Sequence, residues 1–173
     1  MEGAVDLERE LATLHPACFG WAMACCRRDR DAAAEVLQEA YCRVLDGRAR
    51  WAGEGELKTW LFGVVRRVAV EQRRWAVVRW LRASAPVDPV VAPASQRAPD
   101  SDLGARERAR ALADALAQLP DRQREVLHLV FYEDLSLRDA AAAMGISLGA
   151  ASQHYDRGKA ALAARLGKGT TGR

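Results

Sequence analysis

The residues with the most specific chemical pattern lie between Ser136 and Lys159. Ser136 and Asp139 are spaced as a capping box, in which a hydroxyl meets the backbone N–H three residues on. They open a short helix over Leu137–Met144 whose inner side is nearly all Ala. Small side chains allow a second helix to cross it closely. Gly145 stops the first helix where a positive φ is commonly needed. Ile146 anchors the turn, and Ser147 caps the next helix. The product is helix, short turn, helix, with Ala141 and Gly145 where a helix-turn-helix takes small residues. The second helix of such a unit lies in the DNA major groove. Its early positions, Gly149, Ala150, Ser152, Gln153 and His154, are short or polar. Short residues bring the backbone near the bases, and Gln153 can pair with an adenine edge. Arg157 and Lys159 suit phosphates, which position a helix without reading sequence. An ordinary capped helical hairpin is the plain alternative.

A second pattern is basic. Arg66, Arg67, Arg73, Arg74, Arg79 and Arg82 are interrupted only by Glu71, and a later group runs Arg157, Lys159, Arg165, Lys168 and Arg173. The formal net charge of +3 is too small to imply a polyanionic partner by itself. Two separated basic segments do mark two places where one could be gripped, unless they are simply solvated helix faces. Arg66 and Arg73, like Arg67 and Arg74, lie seven apart, which predicts four arginines opposite an apolar stripe of Leu57, Trp60, Leu61, Val64, Val68 and Trp75.

Enzyme chemistry finds little support. His15, His128 and His154 are scattered, and no nucleophile–base or metal-ligand spacing appears. Cys18, Cys25, Cys26 and Cys42 form no CxxC pair, so they read as small apolar core residues, with redox or metal sensing as the side alternative. No metal and no cofactor is expected.

These residues must be held by helices. Half of the 173 residues are apolar and Ala is abundant, which favours an all-α fold. Two small helical domains joined by a Pro-rich linker are predicted, the C-terminal one a four-helix domain containing the helix-turn-helix. The boundaries read 1–82, linker 83–106, 107–166, and a mobile tail 167–173. Leu7, Leu11 and Leu14 open the first domain. Pro16 suits the first turn of a new helix, with Phe19, Met23 and Cys26 on one side, ending at the charged run Arg27–Asp31. Val36, Leu37, Ala40, Tyr41 and Val44 form the buried stripe of the next helix, and Glu35, Gln38, Glu39, Cys42 and Asp46 its opposite face. Trp51 to Glu56 reads as a glycine-punctuated loop. Pro86, Pro89, Pro93 and Pro99 mark the linker. The acidic N-terminus lacks a signal-peptide core, and no apolar run approaches the roughly 20 residues of a membrane span. A cytoplasmic protein without membrane insertion is expected.

With the elements placed, a likeness emerges. Leu119-Pro120-Asp121-Arg122-Gln123-Arg124-Glu125-Val126-Leu127, then Leu135-Ser136 through Gly145-Ile146-Ser147, resembles the fourth conserved region of bacterial sigma factors, most closely the extracytoplasmic-function (ECF) type. Glu35-Val36-Leu37-Gln38-Glu39-Ala40-Tyr41 resembles the polymerase-binding helix of region two. Leu57-Lys58-Thr59-Trp60-Leu61-Phe62 resembles the segment after the strand-opening loop. Ala32 and Ala34 stand where acids are common in the family, and Arg67 where Asn is frequent.

The resemblance implies an ECF-type sigma factor that binds core RNA polymerase, recognises −35 and −10 promoter elements and promotes DNA melting, under control of an anti-sigma factor. Glu35, Gln38, Glu39 and Arg43 would dock on the clamp helices of the largest polymerase subunit. Trp51, Lys58, Thr59, Arg66, Arg67, Arg73 and Arg74 would contact the −10 element, the loop capturing a flipped base. Ser147, Gly149, Ala150, Ser152, Gln153, His154, Arg157 and Lys159 would contact the −35 element, with that domain on the polymerase flap. The alternative is a stand-alone DNA-binding regulator with an N-terminal interaction domain.

Overall fold

Residues 2–82 and 103–169 are described by the computed structural model. Among them run seven helices and no strand: α1 (Glu2–Cys25), α2 (Arg30–Leu45), α3 (Leu57–Arg82), α4 (Leu103–Ala117), α5 (Asp121–Phe131), α6 (Leu137–Met144) and α7 (Leu148–Gly169). They fall into two compact units, with α1, α2 and α3 in one and α4, α5 and α7 in the other. The all-α, two-unit expectation therefore holds. Linker residues 83–102 and tail residues 170–173 lie outside the described residues.

In the first unit each helix packs on the other two. Pro16 does not open a helix: α1 is continuous through it. A proline removes one rung of the ladder and costs about 3 kcal/mol in a helix interior. Burial of large apolar side chains, roughly 1.5–3 kcal/mol each, outweighs that. Leu11, Cys18, Trp21, Ala22 and Cys25 are all buried. This face lies beside the expected Phe19, Met23 and Cys26, which are only half-buried. Trp21 is fully enclosed; its Nε1–H donates to the Phe62 carbonyl at 2.9 Å and its ring lies 5.9 Å from the Phe62 ring.

The charged run turns the chain as expected. Arg27 and Arg28 adopt φ of 54° and 68°, and the Asp29 carboxylate accepts from the Asp31 and Ala32 N–H groups to cap α2. Ala33, Val36, Leu37, Ala40 and Val44 form the buried stripe of α2, with Tyr41 half-buried. Burial, helped by the Cys18 thiol, pushes the Tyr41 phenol well above its ordinary pKa.

On α3 the stripe Leu61, Val64, Val68 is buried, but Trp75 is 64% exposed, contrary to its expected place in the core. At 1.5 Å per residue, the 26 residues of α3 span about 39 Å and the 16 of α2 about 24 Å. The far end of α3 thus outruns α2, one of the two helices packed on it.

In the second unit α7 packs on α4 and α5. Gly158 makes the closest approach: a Cβ there would sit 3.1 Å from Leu127 Cδ1 and 3.3 Å from the Gln123 carbonyl oxygen. Arg124 is buried because its guanidinium is satisfied, donating to the Leu119 carbonyl at 3.1 Å and to the Asp121 carboxylate at 2.7 Å. Two boundaries differ from expectation. Helix α4 begins at Leu103, inside the expected linker, because no proline stands between Pro99 and Pro120. Helix α7 continues to Gly169, past the expected start of the tail at 167. A glycine weakens a helix by about 1 kcal/mol but does not forbid it.

The turn between α5 and α6 carries Asp134 at φ 54°, while the Leu135 N–H donates to the Leu129 carbonyl at 3.0 Å. A left-handed conformation costs a non-glycine residue roughly 1–2 kcal/mol. The substitution Asp134→Gly is therefore expected to stabilise the chain by about 1 kcal/mol. Thermal unfolding followed by circular dichroism checks this, and an unchanged or lower midpoint would refute it.

Candidate nucleic-acid interface and docking face

The second helix of the expected helix-turn-helix is built as the spacing predicts. Ser136 Oγ accepts from the Asp139 N–H at 3.1 Å, and its hydroxyl donates back to the Asp139 carboxylate. Gly145 takes φ 61°, with its N–H on the Ala142 carbonyl and the Ile146 N–H on the Ala141 carbonyl. Ser147 Oγ then accepts from the Ala150 N–H at 3.2 Å and starts α7. Gly149, Gln153 and Arg157 are exposed and four residues apart, so they line up as one outward row. Ser147 is exposed at its start, Ala150, Ser152 and His154 are half-buried beside it, and Ala151 is buried. Lys159 is exposed, but its ammonium lies 4.2 Å from the Tyr155 ring centroid and 3.5 Å from the Asp156 carboxylate. It is held to its own helix, whereas Arg157 projects from the outward row.

The outer face of α2 presents Glu35 and Gln38 fully and Glu39 in part. Glu39 is not a lone acid. Its carboxylate accepts from Arg43 Nε at 2.7 Å and lies 3.5 Å from Arg48 Nη1. The Arg43 hydrogen bond, above all, holds the Glu39 carboxyl below its ordinary range. Arg43 Nη1 reaches across to Glu71 on α3 at 2.7 Å, and the hydrogen bonds to Glu39 and Glu71 raise the arginine's own pKa. Arg43 thus cross-braces α2 and α3. The sequence reading grouped it with the docking residues and missed Glu71, although a single acid inside a basic run was the available signal.

The loop between α2 and α3 holds three glycines at positive φ, Gly47, Gly53 and Gly55. Trp51 is 41% exposed, and its indole N–H donates to the Glu54 carbonyl at 3.2 Å. Beside it opens a cavity of about 410 Å³, walled by Leu7 and Glu10 of α1, Val44 of α2, Ala49, Arg50 and Trp51 of the loop, and Leu57 and Trp60 of α3. Trp60 is half-buried and lines this space, so it is neither wholly core nor wholly surface. Leu7 and Glu10 were not foreseen, because only tertiary packing brings α1 to a loop some 40 residues away. Lys58 is half-buried, 5.5 Å from the Phe62 ring centroid, and Thr59 is only 9% exposed. The four arginines of α3 do not make one outward row: Arg67 and Arg74 are exposed, whereas Arg66 and Arg73 are half-buried. Adjacent residues lie about 100° apart around a helix, so these two pairs face different ways.

Cys18 and Cys25 are buried, Cys26 is half-buried and Cys42 exposed, and none is in a disulfide. Among the described residues, no three His, Cys, Asp or Glu side chains gather as metal ligands would. No described helix is long and apolar enough to cross a membrane.

Comparison with known proteins matches both halves. Residues 11–83 fit the Sigma-70 region 2 family and residues 115–164 the Sigma-70, region 4 family. The chain is 30% identical over 167 residues to RNA polymerase sigma factor CarQ of Myxococcus xanthus, covering 96% of this chain and 93% of that protein. It is 33% identical over 132 residues to the ECF RNA polymerase sigma factor SigF of Caulobacter vibrioides, covering 76% and 69% respectively. A 28% identical match to the ECF RNA polymerase sigma factor SigX of Bacillus subtilis covers 69% of this chain and 63% of that protein. The fold is similar to that of the sigma factor RpoE in its co-crystal structure with the anti-sigma factor NepR from Bartonella quintana. That likeness has a TM-score of 0.77 at 23% identity, over 97% of this chain and 99% of RpoE. A capped reading helix, an α2 with the region-two pattern and these matches along nearly the whole chain agree: the protein belongs to the ECF group of bacterial RNA polymerase sigma factors.

Proposed function

We propose that the chain is a promoter-specificity subunit of RNA polymerase, in which the first unit docks on the enzyme and holds melted DNA while the second reads duplex. Residues 1–82 serve the polymerase clamp helices and the −10 element, and residues 107–166 serve the flap and the −35 element. Glu35 and Gln38 are the outward docking contacts on α2; Glu39 and Arg43 set the shape and charge of that face through their mutual bond. Gly149, Gln153 and Arg157 face the major groove, the glutamine reading base edges and the arginine a phosphate. Ser147, Ala150, Ser152 and His154 border that contact, and Lys159 adds positive charge behind it.

The observation that carries this reading is the cavity beside the α2–α3 loop. At about 410 Å³ it falls within the roughly 300–1,000 Å³ of ordinary ligand pockets. Its walls offer two indole rings, one carboxylate and one guanidinium. Flat apolar walls with few polar groups suit a single unstacked base, which exposes its face for stacking and its edge for hydrogen bonds. Arg67 and Arg74 lie outward on α3, and with Arg66, Arg73, Lys58 and Thr59 they form the expected backbone-holding set. Melting then follows from holding an extruded base while both units remain anchored.

The chain works without a catalytic centre of its own, inside the cytoplasm where polymerase is found. The structures of RpoE with NepR, and of CnrH with the cytosolic domain of CnrY (TM-score 0.63 at 20% identity), support the further reading that an anti-sigma partner sequesters it.

Run-off transcription with purified core polymerase on randomised promoters should give promoter-dependent transcripts. DNA binding by the chain alone with no transcript would instead make it a stand-alone regulator. In the same assay Trp60→Ala is expected to slow open-complex formation about tenfold or more, the scale of one lost base-stacking contact. Its binding to −35 duplex should stay unchanged; an equal loss of both would place Trp60 in folding rather than base capture. Replacing Gln38 by Ala together with Glu35 by Lys should weaken core-polymerase binding about tenfold, as loss of central interface contacts does. A titration of labelled chain into core enzyme reads this directly.

A further inference from the structure

Glu71 is the single acidic residue of α3, with Arg67 four residues before it and Arg74 three after. Those spacings set both arginines beside it on the helix surface, as ready partners. Its ion pair goes elsewhere: the carboxylate meets Arg43 Nη1 of α2 at 2.7 Å. The Glu71 and Arg43 side chains are 40% and 25% exposed, and ion pairs open to water contribute little to stability. The main effect of this bond is therefore on geometry: it decides where the Arg43 guanidinium lies.

A guanidinium is a rigid planar fork, so fixing one nitrogen aims the others. With Nη1 on Glu71, Arg43 Nε meets Glu39 Oε1 at 2.7 Å, and Arg48 Nη1 lies 3.5 Å from that same oxygen. Arg48 Nη2 in turn lies 3.1 Å from the Asp46 carboxylate. A carboxylate can accept about four hydrogen bonds, so Glu39, held through one oxygen, keeps capacity for a donor from outside. Glu39, Asp46 and Glu71 share the two guanidiniums of Arg43 and Arg48, which leaves the network negative beside the exposed Glu35 and Gln38. The donor that fits is a cation.

We propose that Glu71 is a positioning residue for polymerase docking: from α3 it fixes the Arg43 guanidinium, which turns Glu39 so that Oε1 is held from within and the remaining acceptor sites meet a cationic side chain of the polymerase. This rests on the reading that the outer face of α2 docks on that enzyme. Glu71 itself touches no partner in this scheme. It acts through Arg43, and only as far as Glu39 makes a contact. The docking face is thus set from two helices, and loss of the α3 end of the relay loosens a contact made on α2.

A double-mutant cycle tests it, by titrating the labelled full chain into core polymerase without DNA. Glu71→Ala and Glu39→Gln should each weaken binding about fivefold, within the range of couplings between neighbouring groups. The double variant should bind no more weakly than Glu39→Gln alone, because the first change acts only through the second residue. Glu71→Gln, which keeps an acceptor oxygen for Arg43, should lose less than Glu71→Ala, and the thermal midpoint of each Glu71 variant should stay at the wild-type value. The proposal is overturned by unchanged binding in Glu71→Ala, by losses that simply multiply in the double variant, by Glu71→Gln binding as weakly as Glu71→Ala, or by a lowered midpoint, which would make Glu71 a residue of the fold. The Glu35 and Gln38 double variant judges the docking reading separately. If that variant binds core enzyme like wild type, the docking reading fails while the Glu39 cycle still judges the relay; if it binds weakly and Glu71→Ala does not, the relay alone falls.

Discussion

The enclosure of Trp21 organises the first unit. A fully buried indole brings about the largest apolar surface a side chain can offer, and its N–H must find an acceptor or carry a desolvation penalty of roughly 1–3 kcal/mol. The Phe62 carbonyl supplies that acceptor at 2.9 Å, which ties the middle of α1 to α3. Everything functional in this unit inherits its register from that tie. The cavity takes two walls from α1 and two from α3, so a slip between the helices would dismantle it.

The second unit solves a different problem with smaller parts. A reading helix needs a fixed entry angle, and three local devices set it: the Ser136–Asp139 box, the positive φ of Gly145 and the Ser147 cap. Gly158 then lets α7 approach α5 closely enough for its side chains to be held from behind. The outward row is left short and polar at one end and cationic at the other. Short and polar side chains are thereby separated from the cationic one along a single helix.

Local chemistry was legible in the sequence, and tertiary geometry was not. Caps, the positive-φ glycine and the buried stripe of α2 were all readable, because each depends on residues within a turn or two. Pro16 misled, since the cost of an interior proline is set against burial that only the folded unit supplies. Trp75 misled for the complementary reason: its periodicity was right, but whether a stripe is covered depends on the length of the neighbouring helix. The four arginines of α3 share a period of seven, yet each adjacent pair stands about 100° apart around the helix, so their split between two faces was readable from spacing alone. Glu10 was invisible as a site residue because the other cavity walls lie on other elements, while Glu71 was marked only as the one acid in a basic run, with nothing to connect it to Arg43 on α2.

The interior proline of α1 has a mechanical consequence. Pro16 offers no N–H to the carbonyl of Ala12, so the ladder is one rung short between Leu7 and Glu10, which line the cavity, and Cys18 and Trp21, which anchor the core. Helices bend most readily where such a rung is missing. The front half of α1, which helps to wall the cavity, thus joins the anchored half where the ladder is one rung weaker.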